Sequence, residues 1–223
     1  MIVIASHDNI ELLKDMLLRL SEINLNGHEV LVVDTNSQDE TYLHAIEQFK
    51  LQYPSVQFDR KLYSCYDSGA YLHAYKNYKR ERYIFLQDSL SIENPDFFVQ
   101  VDAMLDEYDV VPMFNFHFIY DTEEQTRWCE DGLEITSLPE DGIFGPIFAT
   151  NRIALDRIPP NLLKEPSTKT EACGMERYWS IIFHLTGSTK KYFEHIPHHR
   201  WIDFWSGDPE YTKNIQKIWL NRK

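Results

Sequence analysis

Four short apolar runs alternate with amphipathic segments across residues 2–92, and this alternation restricts the fold more than any other feature of the chain. "IVIAS" (2–6) precedes a helical pattern with Ile10, Leu13, Leu17 and Leu20 on one face. "EVLVVD" (29–34) precedes one carrying Leu43, Ile46 and Phe49. "VQFDRKL" (56–62) is followed by "DSGAYLHAYKNY" (67–78), whose period turns Tyr71, Tyr75 and Tyr78 inward, and "YIFL" (83–86) closes the series. Strand and helix alternating at this spacing require right-handed crossovers and a mainly parallel sheet. The strands are continuously apolar rather than alternating, as expected when both faces of a sheet are covered. Asp8 with Glu11, and "SQDE" (37–40), stand in capping-box spacing and mark two helix starts.

After residue 93 the rhythm loosens. "NPDFFVQVDAMLDEY" (94–108) reads as a helix with Pro95 in its first turn. "DVVPMFNFHFIYD" (109–121) reads as a strand that sets Phe114, Phe116, Phe118 and Tyr120 on one side, as core. Residues 121–142 are acidic and turn-rich, a surface excursion over the sheet. "GIFGPIFATNRIALDRI" (142–158) runs from strand into short helix. "CGMERYWSIIFHLTG" (173–187) is a helix with Met175, Tyr178, Ile182 and Leu185 on one face. The end reads as an aromatic strand or loop and then a basic terminal helix, "NIQKIWLNRK". With 223 residues, no internal repeat and no low-complexity linker, one α/β domain is expected.

Composition excludes several functions. The net charge is −13, and the only basic cluster, residues 76–82, is the size of a solvated helix end, so nucleic acid is set aside. Cys65, Cys129 and Cys173 lack metal-ligand spacing and are odd in number, which points to reduced thiols in a cytosolic compartment. No apolar run reaches the roughly 18 residues of a transmembrane segment, and "MIVIASHDN" turns polar too early for a signal peptide. A soluble, cytoplasmic protein is expected.

In an open parallel sheet, ligands bind beyond the carboxyl ends of the strands. Here the first strand ends in Ser6-His7-Asp8, the second in Asp34-Thr35-Asn36 and the fourth in Gln87-Asp88-Ser89. Any one of these acids alone reads as a helix cap or turn, whereas carboxylates from three strands on one edge exceed what capping needs. Neither GxxxxGK[ST] nor GxGxxG occurs. A nucleotide held there would meet hydrogen bonds at base and ribose, and a divalent metal at its diphosphate.

"VIASHDNIELLKDMLLRL" followed by "EVLVVDTNSQDET" resembles the opening of GT-A-fold glycosyltransferases, especially the family 2-like group. "YDSGAYLHAY" is similar to that family's Asn-x-Gly segment, with Asp67 for Asn and Gly69 retained, and "RYIFLQDSLSI" falls where the family carries its Asp-x-Asp metal motif. "GPIFATNRIALDRI" is similar to the acceptor-side strand and helix, and "GMERYWSIIFHLTGSTKKYFEHIPHH" to the helix and late His that follow.

The resemblance implies an α/β GT-A fold, a mainly parallel central sheet flanked by helices. Residues 1–92 would form the nucleotide-binding half and 93–223 the acceptor-side half with its terminal helix. It implies transfer of a hexose or deoxyhexose from a UDP-, GDP- or dTDP-sugar to a hydroxyl of a glycan or glycoconjugate, assisted by Mn²⁺ or Mg²⁺. Ser6, His7, Asp34, Asp67, Gly69, Gln87 and Asp88 would bind the sugar nucleotide, Asp88 and His198 the metal, and Glu176 would be the base of an inverting reaction.

Gln87 and Ser89 replace the outer acids of the metal motif, which weakens the cation site or hands its charge to basic side chains such as Arg152, Lys169 or Arg200. Glu176 also reads as an exposed helix acid beside Arg177, and the pair His198 and His199 as packing. Trp179 and Trp201 suit core packing better than stacking on a sugar. Two rival classes remain: a catalytically silent sugar-nucleotide-binding module, and a nucleotidyltransferase, which lacks its basic N-terminal loop here.

Overall fold

The structure, a computed structural model, describes residues 1–63, 65–118, 121–131, 133–135, 137–201, 210 and 213–218. Chain order is β1 (Ile2–Ser6), α1 (Ile10–Glu22), β2 (Val30–Thr35), α2 (Glu40–Gln52), β3 (Val56–Lys61), α3 (Tyr66–Asn77), β4 (Arg82–Gln87), β5 (Leu90–Ile92) and α4 (Phe97–Leu105). Then come β6 (Val110–Pro112), β7 (Asn115–Phe116), α5 (Glu123–Glu130), β8 (Gly142–Ile143), β9 (Phe148–Asn151), α6 (Arg152–Asp156), α7 (Lys169–Leu185) and β10 (Ile215–Lys217).

The main sheet runs β3-β2-β1-β4-β9-β6. Its first four strands are parallel, and β9 lies antiparallel to both β4 and β6. Successive side chains of a strand face opposite sides, which divides the core in two. Ile2, Ile4, Val32, Ile84 and Leu86 pack under α1, α2 and α4. Val3, Leu31, Val33, Tyr83 and Phe85 pack under α3 and α7. The expected strand-helix half therefore stands, with Tyr71 fully buried and Tyr75 and Tyr78 packed at its margin.

The helix starts are shifted from their expected caps. Asn9, not Asp8, caps α1 by accepting from the Leu12 amide at 3.2 Å. Asp8 sits at φ +50 and accepts from the amides of Gln38 and Asp39, tying the β1 loop to the β2 loop. Asp39, not Ser37, caps α2. Capping-box spacing fits more than one register in each loop, and the cross-loop bonds select the other. Asn94 accepts from the Asp96 amide, so Pro95 lies in a turn ahead of α4 rather than inside its first turn.

The strand expected over 109–121 is two. β6 pairs with β9 through Pro112, the Met113 amide still donates to the Ile147 carbonyl at 2.9 Å, and beyond it β7 pairs instead with β8. Phe114 and Phe116 are buried as expected, Phe118 lies partly buried beneath the Arg177 guanidinium, and Tyr120 lies outside the described residues. The excursion over 121–142 contains α5, which packs on α7 with Trp128 beside Tyr178. Trp179 and Trp201 are both core residues. Ile215–Lys217 is not helical as expected but a strand, antiparallel to β5, because Ile215 is buried there; residues 219–223 lie outside the described ones. Among the described residues no helix is long and apolar enough to cross a membrane.

α7 begins with a full capping box: the Thr168 hydroxyl accepts from the Glu171 amide, and the Glu171 carboxylate accepts from the Thr168 amide. Thr168→Ala is expected to destabilise the protein by about 1 kcal/mol. Urea denaturation measures it, and an unchanged midpoint would show that the box contributes nothing.

Candidate active site

The carboxyl ends of β1, β2 and β4 lie side by side, with Ser6 registered against Asp34 and Ala5 against Gln87. On the α2 side, the buried Tyr42 hydroxyl donates to Ser6 Oγ at 2.7 Å, and Ser6 Oγ donates to Asp88 Oδ2 at 2.8 Å. Burial pushes the Asp88 carboxyl up to about 6; the Ser6 bond opposes that shift, the neighbouring Asp67 adds to it, and Lys217 opposes it.

Asp34 accepts from the Ser37 amide at 2.9 Å and pairs with Arg60 Nε at 3.0 Å. It borders a cavity of about 230 Å³ with Val32, Ile46, Phe58 and Arg60 in its wall. The His7 side chain is half exposed and turned towards Asp8 at 3.6 Å, so only its backbone, which bonds Asp88, joins this group.

On the other face, the Gln87 amide donates to Asp67 Oδ2 at 2.5 Å and to the Gly145 carbonyl at 2.6 Å. The Gly145 amide donates to Glu176 Oε1 at 2.7 Å. Asp67, Gln87, Gly145 and Glu176 are therefore one hydrogen-bonded chain linking α3, β4, the turn before β9, and α7. Burial pushes the Glu176 carboxyl up to about 8; the Gly145 bond and the cations Lys169 and Lys217 oppose the shift, and Asp121 adds to it. Burial likewise raises Asp67. Gly69 serves packing: a Cβ there would come within 2.3 Å of Cys65 Cβ.

One residue here has almost no signal in the sequence pattern. β10 pairs with β5 so that Lys217 registers against Leu90, and the Ile218 amide donates to the Ser89 carbonyl at 2.8 Å. The Lys217 ammonium donates to Gln87 Oε1 and to Ser89 Oγ. Burial lowers its pKa; the fields of Asp67, Asp88 and Glu176 oppose that shift, and Lys169 adds to it. The period-two placement of Ile215 and Lys217 is its only trace in the sequence, and a three-residue strand is too short for that period to declare itself.

Arg152, Arg200 and His198 meet other partners. Arg152 donates to the Tyr83 hydroxyl and stacks on Tyr75, at the opposite end of β4 from Asp88. Arg200 pairs with Glu210 at 3.6 Å. The His198 ring stands edge-on to His117 at 5.2 Å, in a second cluster where His117 and His195 both meet Asp141. Among the described residues no three His, Cys, Asp or Glu side chains are arranged to hold a metal ion.

No protein-family model matches the sequence, and no curated protein matches it. Solved structures do. A mannosyltransferase from Pyrobaculum calidifontis, in complex with GDP-Man and Mn²⁺, aligns with TM-score 0.60 at 14% identity, over 85% of this chain and 52% of that one. S. aureus TarS 1-349 aligns with TM-score 0.50 at 16% identity, over 80% of this chain and 55% of that one. A longer S. aureus TarS chain aligns with TM-score 0.51 at 15% identity, over 86% of this chain and 34% of that one. The chain thus spans about half the length of the first two structures. Identities this low speak for the fold alone.

Proposed function

We propose that this chain, which has a GT-A-like glycosyltransferase fold, moves a sugar from a nucleoside-diphosphate sugar to a hydroxyl of a glycan or glycoconjugate, with inversion at the anomeric carbon. The observation that carries the reading is the link from Glu176 through Gly145 and Gln87 to the end of β4, which joins a base-type carboxyl to the strand end where this fold class binds ligands. On this reading residues 1–92 hold a UDP-, GDP- or dTDP-sugar and 93–223 face the acceptor, within one domain. Asp34 accepts from the nucleobase, Ser6 and the His7 backbone line the same edge, and Asp67, Gln87 and Asp88 border ribose and diphosphate. Glu176 Oε1 is held by Gly145, leaving Oε2 to take the acceptor proton as the hydroxyl oxygen attacks the anomeric carbon. The bond to the leaving phosphate breaks, and its electron pair stays on the diphosphate oxygen. The unpaired Cys65, Cys129 and Cys173 support a reducing, cytoplasmic setting.

The Mn²⁺ of the mannosyltransferase complex belongs to that protein. The donors at the end of β4 here do not fit a divalent cation: Asp88 is the one carboxylate of its triplet, and the oxygens of Gln87 and Ser89 on either side accept from an ammonium.

Incubation with UDP-, GDP- and dTDP-sugars and a panel of glycan acceptors tests the reading. Acceptor-dependent release of one nucleoside diphosphate is expected. Nucleotide binding without release across the panel would favour the silent module instead. The Glu176 carboxyl, pushed up to about 8 by burial, is the observation on that side.

A further inference from the structure

We propose that the Lys217 ammonium supplies the positive charge that holds and neutralises the donor's diphosphate, in the place a divalent cation would take beside β4. This role rests on the donor reading above and deepens it.

Three features of the geometry support the role. Position comes first: Lys217 is no stray surface lysine, since the β5–β10 register and the Ile218–Ser89 bond fix its backbone beside the Gln87-Asp88-Ser89 triplet. The second is the nature of its partners. The ammonium is held by a neutral amide oxygen and a neutral hydroxyl, the two positions where a metal motif would carry acids. Acids there would pair with the lysine and cancel its charge, whereas neutral oxygens orient it and leave the charge for a ligand. The third is the donor count. An ammonium carries three N–H groups, and two are taken up by Gln87 and Ser89, so one has no partner among the described residues and is available to a phosphate oxygen.

The nearby carboxyls make their hydrogen bonds to Ser6 (Asp88) and Gln87 (Asp67) rather than to the ammonium, and act on it through their fields. Lys169, exposed in the first turn of α7, adds a second positive charge to the same field.

Calorimetric titration of the whole chain with GDP, UDP and dTDP, and with the matching nucleosides, tests the role in EDTA and in excess Mn²⁺. The wild-type chain is expected to bind its diphosphate equally well in both. Lys217→Met should weaken the diphosphate about ten- to hundredfold, the loss of one charged hydrogen bond. It should leave nucleoside affinity unchanged, and Lys217→Arg should retain most of the diphosphate affinity. The nucleoside serves as the folding control for both variants.

Diphosphate binding that requires Mn²⁺ in the wild-type chain overturns the role of Lys217 and leaves the donor reading standing. An undiminished diphosphate affinity in Lys217→Met does the same. Failure of every nucleoside diphosphate to bind under either condition overturns the donor reading and this role together.

Discussion

Glu176→Gln is expected to lower turnover by about 10²–10⁴-fold while leaving sugar-nucleotide affinity unchanged. Gln keeps an oxygen to accept from the Gly145 amide, so the turn before β9 and its bond to Gln87 should stay in place. What is lost is a group able to take a proton. The pH profile is the more telling readout, because burial pushes the Glu176 carboxyl up to about 8, so it becomes mostly ionised only as pH passes that value. Wild-type kcat/KM should climb as pH rises towards 8 and level off beyond it, and the Gln variant should lack this limb.

Stability moves the opposite way. A carboxyl whose folded-state pKa lies above its ordinary 4.5 favours folding least when ionised, so its contribution declines as pH rises from about 4.5 through about 8. The Gln variant escapes that decline and should gain thermal stability over the wild type progressively across the window. Near-normal turnover in the Gln variant would remove Glu176 from the chemistry and point to a reaction that needs no base.

Trp179→Ala should destabilise the protein by about 3–5 kcal/mol in urea denaturation. The indole is 1% exposed, stacks on Phe183 at 5.6 Å and leans on Phe148 at 5.1 Å. Its N–H donates to Ser68 Oγ at 2.9 Å, stitching α7 to the first turns of α3. Trp179→Phe separates the two contributions: it keeps most of the apolar volume but leaves the buried Ser68 without its donor, at a cost of about 1–3 kcal/mol. Since Trp179 anchors the helix that carries Glu176 and Ser68 follows Asp67, the Ala variant should also loosen the site. A loss below about 1 kcal/mol in the Ala variant would contradict the close packing described.

The parallel half of the sheet was legible because its strands are covered on both sides, which writes burial into every residue of "VLVVD" (30–34) and "YIFL". Asp34, Asp67, Gln87, Asp88 and Glu176 were legible as candidates through strand ends and the family resemblance, and the last four share one interacting group. Lys217 and Gly145 were not, because each reaches the site through pairings between segments far apart in sequence, which no local period encodes. The break between β6 and β7 was hidden for a related reason. Alternation runs unbroken through Phe114 and Phe116 while the hydrogen-bond partner changes from β9 to β8. His198 was legible only as a late His, and its ring meets His117.

Gly145 holds both sides of the site at once, its amide on Glu176 and its carbonyl on Gln87, from a backbone at φ +62. In an assembly of rigid parts this makes it a common datum: Glu176 and the end of β4 are gauged from one residue, not through a series of contacts whose errors add. A side chain there would meet Ile147 at 3.0 Å in a conformation that favours glycine. Any displacement it caused would shift both references together, altering where the site lies before altering the spacing within it.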